Sequence, residues 1–168
     1  MPAVVLIGPP GSGKSTVGAA LARRLGVDLH DTDAAVVASD GRAVSDIFLE
    51  DGESFFRAAE HAAVAAALRD QRGVVALGGG APMDADTREA LAGQTVVLLD
   101  VGIADAARRI GFDQSRPLLA VNPRATWLAL MKVRRPVYES LATHRVDTSG
   151  RTPDDVAAEI ARLLGARP

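Results

Sequence analysis

The sequence predicts an α/β fold in three layers, with helices on both faces of a central five-stranded parallel sheet. Two observations carry that prediction: short unbroken aliphatic runs recur along the chain, and longer stretches of helical character separate them. A third is positional. The first run passes directly into a glycine-rich turn and then into a helical pattern.

Val4-Val5-Leu6-Ile7 offers no polar position on either side and reads as a strand buried on both faces. From Lys14 the apolar positions Val17, Leu21 and Leu25 recur at near-helical spacing, and Gly26 stands where helices commonly end. Val27 to His30 reads as a short second strand, and Val74 to Leu77, Val96 to Leu99 and a run around Val146 as three more. Helical stretches at Glu53 to Asp70, Ala85 to Leu91 and Ile103 to Ile110 lie between them. Thr152-Pro153-Asp154-Asp155 opens a terminal helix to about Leu164, with Thr152 as N-cap, proline in the first turn and acids near the positive end of the dipole. Residues 111–123 carry Gly, Asn and two prolines without periodicity and read as a flap. One domain spanning residues 1–168 is expected, since that length sits near the size of a single core.

Composition excludes several classes. A chain that is 48% hydrophobic with a net charge of −2 can bury enough apolar surface to fold, and it lacks the concentrated positive footprint of a nucleic-acid binder. Cysteine is absent, so there is neither a disulfide framework nor a thiolate metal site. His30, His61 and His144 lie far apart and show no metal-ligand spacing. Met1 to Ile7 is too short for a membrane span and has no charged leader, so a cytoplasmic protein without a membrane partner is expected. A monomer is expected as well.

Gly8-Pro9-Pro10-Gly11-Ser12-Gly13-Lys14-Ser15, followed by Thr16, matches the phosphate-binding P-loop, and its placement between strand and helix agrees with the letters. Such a loop aims successive backbone N–H groups at an anion, so Gly11, Ser12, Gly13, Lys14, Ser15 and Thr16 are candidate ATP-binding residues. Lys14 would reach the β and γ phosphates, and the Ser15 hydroxyl would complete a Mg²⁺ shell. The motif names a nucleotide and no reaction.

Two acids compete for the second metal contact. Asp100 closes Val96-Val97-Leu98-Leu99 in the manner of a Walker B strand, whereas Asp31 opens Asp31-Thr32-Asp33 after the second strand. Asp31 is preferred, with Asp100 expected to cap the Val101 to Ile110 segment. Asp33, two residues on, can face a substrate hydroxyl and orient it or take its proton.

With these residues in place, the chain resembles shikimate kinase from about Val4 to Pro153. The P-loop and Asp31-Thr32-Asp33 are followed in order by Gly41-Arg42, Ile47-Phe48, Gly52-Glu53, Phe56-Arg57-Ala58-Ala59-Glu60, Gly78-Gly79-Gly80, Arg116-Pro117-Leu118-Leu119 and Arg134-Arg135-Pro136-Val137-Tyr138. The resemblance implies a P-loop kinase fold with a substrate-binding segment at about 32–62 and a lid at about 111–123. It further implies MgATP-dependent phosphorylation of the shikimate 3-hydroxyl, in aromatic amino-acid precursor synthesis. In this family's terms, Arg57 and Arg134 grip the substrate carboxylate, for which a planar guanidinium is suited. Asp33 contacts the substrate hydroxyls, and Gly78, Gly79 and Gly80 close against the ring. Arg116 comes from the lid to the transferring phosphoryl group, while Arg109 and Arg151 line the adenine. Lys14, Asp33 and Arg116 are the expected catalytic residues, and Ser15 and Asp31 the metal contacts. Glu60, three residues beyond Arg57, is placed to hold it. The choice of Arg134 over Arg135 rests on the Arg-x-Pro-x-Tyr register. A gluconate kinase and a non-catalytic nucleotide-responsive module are the rival readings.

Overall fold

Every residue of the first strand, β1 (Val4–Ile7), is buried, and its side chains divide strictly by parity. Val4 and Leu6 join one apolar cluster with Val17, Leu21, Val156 and Ile160, whereas Val5 and Ile7 join another with Val64, Leu68, Trp127 and Tyr138. A strand with apolar residues on both faces has to be covered on both, and here it is. The computed structural model describes residues 1–110 and 122–166.

The elements follow in chain order. After β1 come α1 (Lys14–Leu25), β2 (Leu29–Asp31), α2 (Thr32–Asp40), α3 (Val44–Asp70), β3 (Val74–Ala76), a 3₁₀ turn (Ala81–Met83) and α4 (Ala85–Ala90). β4 (Val96–Asp100), α5 (Ile103–Ile110), α6 (Pro123–Leu141), β5 (His144–Asp147) and α7 (Pro153–Leu163) complete the described chain. The sheet runs β2-β3-β1-β4-β5 with all neighbours parallel, as the sequence predicts. Helices α1 and α7 cover one face; α3, α5 and α6 contribute to the other. Among the described residues no helix is long and apolar enough to cross a membrane.

Two boundaries differ from the sequence reading. The second strand begins at Leu29, not Val27, because α1 ends in a left-handed Gly26 whose N–H bonds to Arg23 O while Val27 N–H reaches back to Ala22 O. Val27 is thus consumed in closing the helix. The helix expected from Glu53 starts nine residues earlier, at Val44, and a further helix, α2, forms at Thr32–Asp40. Here Asp31 accepts from Ala34 N–H at 3.1 Å and caps α2, so the Asp31-Thr32-Asp33 segment begins a helix.

Residues of α2 and α3 pack a small cluster of their own, Val36, Ile47 and Phe56, with the Phe48 and Phe56 rings 5.0 Å apart. Arg42 ties the turn between them, bonding Asp40 at 2.6 Å, Glu50 at 2.8 Å and Asp51 at 2.6 Å. The longer helix breaks at Gly52, which sits at φ 85°, ψ 173°. That region is open almost solely to glycine. Nothing lies within 4 Å of a Cβ added there, so the cost of a side chain is conformational, not steric. Gly52→Ala is therefore expected to destabilise the protein by about 1–3 kcal/mol, read as a lowered midpoint in urea unfolding; an unaltered midpoint would mean the helix can run straight through residue 52.

Candidate active site

The central position of β1 puts its carboxyl end between those of β3 and β4, and the loops leaving these ends enclose the crevice. Gly13 precedes α1 with no side chain capping the helix, so the first-turn N–H groups are left for an anion. Lys14 folds over the loop, its Nζ donating to Gly8 O at 2.8 Å and Pro9 O at 3.0 Å. Thr16 turns its hydroxyl to Gly13 O. Ser15 Oγ donates to Asp31 Oδ2 at 2.5 Å, with the other Asp31 oxygen on the α2 cap. A hydroxyl and a carboxylate side by side beside a phosphate cradle form an all-oxygen donor set, which fits Mg²⁺.

Opposite the P-loop, three consecutive glycines leave room for four charged side chains. A Cβ on Gly78 would fall 2.6 Å from Asp33 Oδ1 and 2.8 Å from Glu60 Oε2. One on Gly80 would fall 2.5 Å from Arg57 Nη1, and one on Gly79 3.3 Å from Arg134 Nη1. The triplet thus seats Asp33, Glu60, Arg57 and Arg134 against bare backbone. Thr32 Oγ1 accepts from Gly78 N–H at 3.3 Å, and Tyr138 Oη donates to Gly79 O at 2.5 Å.

Glu60 holds Arg57 at 2.8 Å, as its spacing predicts. It is only 3% exposed, and that burial pushes its carboxyl above the ordinary range, opposed by Arg57 and reinforced by the Asp33 charge. Arg134 is 6% exposed and lines the same cavity of about 300 Å³ as Arg57 and Glu60. A second cavity of about 420 Å³ is lined by Lys14, Ser15, Asp31 and Asp33 on one side and by Gly79 and Arg109 on others.

Asp100 is a correction. The α5 helix starts at Ile103 and Gly102 O accepts the first-turn bond from Ala106, so Asp100 is not its cap. Its carboxylate accepts from Val101 N–H and pairs with Arg135 at 2.8 Å and Arg145 at 2.5 Å. Burial would raise this carboxyl; hydrogen bonds from both arginines and from the Val101 N–H outweigh it and hold it below its ordinary value.

Arg109 bonds Gly11 O at 3.1 Å and Thr148 Oγ1 at 2.9 Å, beside the P-loop. Arg151 shares a small cleft with Gly13 and Thr16 but spends its guanidinium on Asp147 O and Glu159. Arg116 and most of the expected lid lie outside the described residues. Sequence reasoning passed over two contacts. Trp127 Nε1 donates to Pro10 O at 3.0 Å, and a lone tryptophan was the available signal. Thr148, 1% exposed, bonds both Ser12 O and Asp100 O, and no sequence feature marks it.

An anion cradle and a cavity faced by two arginines meet at Gly79, an arrangement suited to a phosphoryl donor and an anionic acceptor; the class is a small-molecule P-loop kinase. The family model for shikimate kinase matches residues 10–165. A shikimate kinase of Thermobifida fusca is 58% identical across 98% of this chain and 96% of its own length, and one of Salinispora arenicola 56% identical across 98% and 99%. The solved shikimate kinase from Acinetobacter baumannii in complex with shikimate has a TM-score of 0.92 at 34% identity, covering 96% of this chain and 91% of that one. The chain belongs to the shikimate kinase family and is an ATP- and Mg²⁺-dependent kinase acting on a shikimate hydroxyl. Neither the gluconate kinase nor the non-catalytic module is favoured by these relatives.

Two outcomes are expected of this geometry. Because the Glu60 carboxyl is raised on folding, the native state binds more protons than the unfolded state from about pH 4.5 upward to the raised value, and stability falls as pH rises through that window. In Glu60→Gln the melting temperature should fall less steeply there than in wild type, and parallel curves would contradict the assignment. In Gly80→Ala the atoms nearest the new Cβ are the flexible end of Arg57, so the variant should fold normally while weakening shikimate binding about tenfold in equilibrium titration. Wild-type affinity would show that Arg57 can shift without loss.

Proposed function

We propose that the phosphoryl acceptor is bound between Asp33 and the Arg57–Arg134 pair, with its hydroxyl directed at the γ-phosphate of ATP held on the P-loop. One observation carries the reading: Gly79, which lines the P-loop cavity, has Pro10 Cδ 3.4 Å and Arg134 Nη1 of the neighbouring cavity 3.3 Å from its Cβ position, so the P-loop and that arginine are separated there by bare backbone. An acceptor on one side is thereby brought within reach of a phosphate on the other.

Arg57 and Arg134 hold the acceptor carboxylate, and Glu60 fixes the direction of the first of them. Asp33 accepts the hydroxyl proton as the hydroxyl oxygen bonds to phosphorus and the bond to the β-phosphate oxygen breaks, leaving ADP and the phosphate monoester. Lys14 and the first-turn N–H groups of α1 stabilise charge on the phosphates. Ser15 and Asp31 would hold Mg²⁺, which when bound neutralises phosphate charge. Arg116 would join from the lid, with Arg109 and Arg151 beside the adenine. The product is shikimate 3-phosphate, in the route to aromatic amino acids. The proposal also keeps a monomer in the cytoplasm, a reducing compartment that a sequence without cysteine permits.

A coupled assay of ADP release should give Mg²⁺-dependent turnover with shikimate and little with gluconate. In the same assay Arg57→Ala should raise the KM for shikimate about 10- to 100-fold and leave that for ATP near wild type, while Asp33→Asn should lower kcat by about 100-fold or more. Equal turnover of both acceptors would overturn the substrate, and an unaltered shikimate KM in Arg57→Ala would overturn the site.

A further inference from the structure

Arg134 and Arg135 are consecutive on α6, so their side chains leave the helix about 100° apart and only one can face the acceptor cavity. Their chemistry is identical, and a small rotation of the helix would offer the substrate carboxylate the wrong one or neither. The backbone ladder is weakest at this turn. Pro136 has no N–H to give Lys132 O and crowds that carbonyl, so side chains have to set the rotation that the missing bond leaves soft.

Three contacts do so. Trp127 Nε1 ties the start of α6 to Pro10 O, and Tyr138 Oη ties its later turns to Gly79 O. Between them Arg135 Nη1 lies 2.9 and 2.8 Å from the two oxygens of Asp100, at the carboxyl end of β4. Asp100 is 7% exposed and its backbone carbonyl is itself held by Thr148, so the anchor is rigid. Arg145 shares the carboxylate from β5, and among the described residues its ion pair to α6 is with Glu139 at 3.3 Å, where both side chains are about half exposed. The sheet edge therefore keeps a cation on Asp100 without Arg135, whereas α6 loses its direct tie to β4.

We propose that Asp100 and Arg135 form a positioning pair that sets the rotation of α6 and so aims Arg134 at the acceptor carboxylate. A carboxylate at a Walker B position thus serves acceptor binding. The inference rests on Arg134 gripping that carboxylate, and acts wholly through it.

The test is equilibrium titration of shikimate and of ATP, with melting temperatures, on Arg135→Gln, Arg135→Lys, Arg145→Gln and Arg134→Gln. Arg135→Gln should weaken shikimate binding roughly tenfold and ATP binding less than about twofold. Arg135→Lys should recover most of the loss, and Arg145→Gln should cost less than Arg135→Gln. Asp100→Asn, if it folds, should follow Arg135→Gln; the Arg135 variants decide the matter if it does not, since that side chain is about one-third exposed. Wild-type shikimate affinity in Arg135→Gln, with Arg134→Gln impaired, overturns the positioning pair alone. Equal losses for shikimate and ATP alongside a lowered melting temperature also overturn it, as general loosening. An Arg134→Gln protein with full shikimate affinity overturns the carboxylate grip and the inference with it.

Discussion

Three absent side chains organise the charged cluster beside the P-loop. Asp33, Glu60 and Arg57, from α2 and α3, approach backbone at Gly78 and Gly80 more closely than a Cβ would allow, and Arg134, from the distant α6, lies tightly against Gly79. Two carboxylates and two guanidiniums gathered against one glycine triplet are tolerable because their charges interleave. Glu60 sits against Arg57 at 2.8 Å, and its raised carboxyl records the burial that this arrangement demands. The glycines follow β3, whose pairing with β1 sets them beside the P-loop that follows β1.

Around that centre, short polar contacts link layers that the apolar core only brings near each other. Thr148 reaches Ser12 O and Asp100 O, Trp127 reaches Pro10 O, and Ser15 reaches Asp31. Each ties the P-loop or a strand end to an element from elsewhere in the chain. Hydrogen bonds of this kind add modest net stability, yet they are directional and set angles that burial leaves free. The same division of labour applies to Asp31, which caps α2 with one oxygen and meets Ser15 with the other, so the position of a helix and the donor set beside the phosphates are decided together.

Much of the fold was legible because the relevant patterns are local. Unbroken aliphatic runs located the strands, and alternation with helical stretches implied parallel pairing. The boundary at Val27 was misread because a helix-closing hydrogen bond to Ala22 leaves no compositional mark. The helix from Val44 was missed because Gly52 reads as a stop, whereas the chain resumes a helix after one glycine-only conformation. Asp100 was read as a cap on proximity to α5; its partners, Arg135 and Arg145, are 35 and 45 residues away.

By itself the sequence determined the P-loop, the acid pair after β2, the glycine triplet and the arginines at 57 and 134, since each depends on residue type at short spacing or on family motifs in order. Tertiary structure alone decided that Asp100 pairs with Arg135 and Arg145 instead of capping α5, that Glu60 is buried beside Arg57, and why the glycines are bare. Those choices depend on the rotation of one helix and the reach of side chains across the sheet, quantities set by packing between distant segments and invisible to any local pattern.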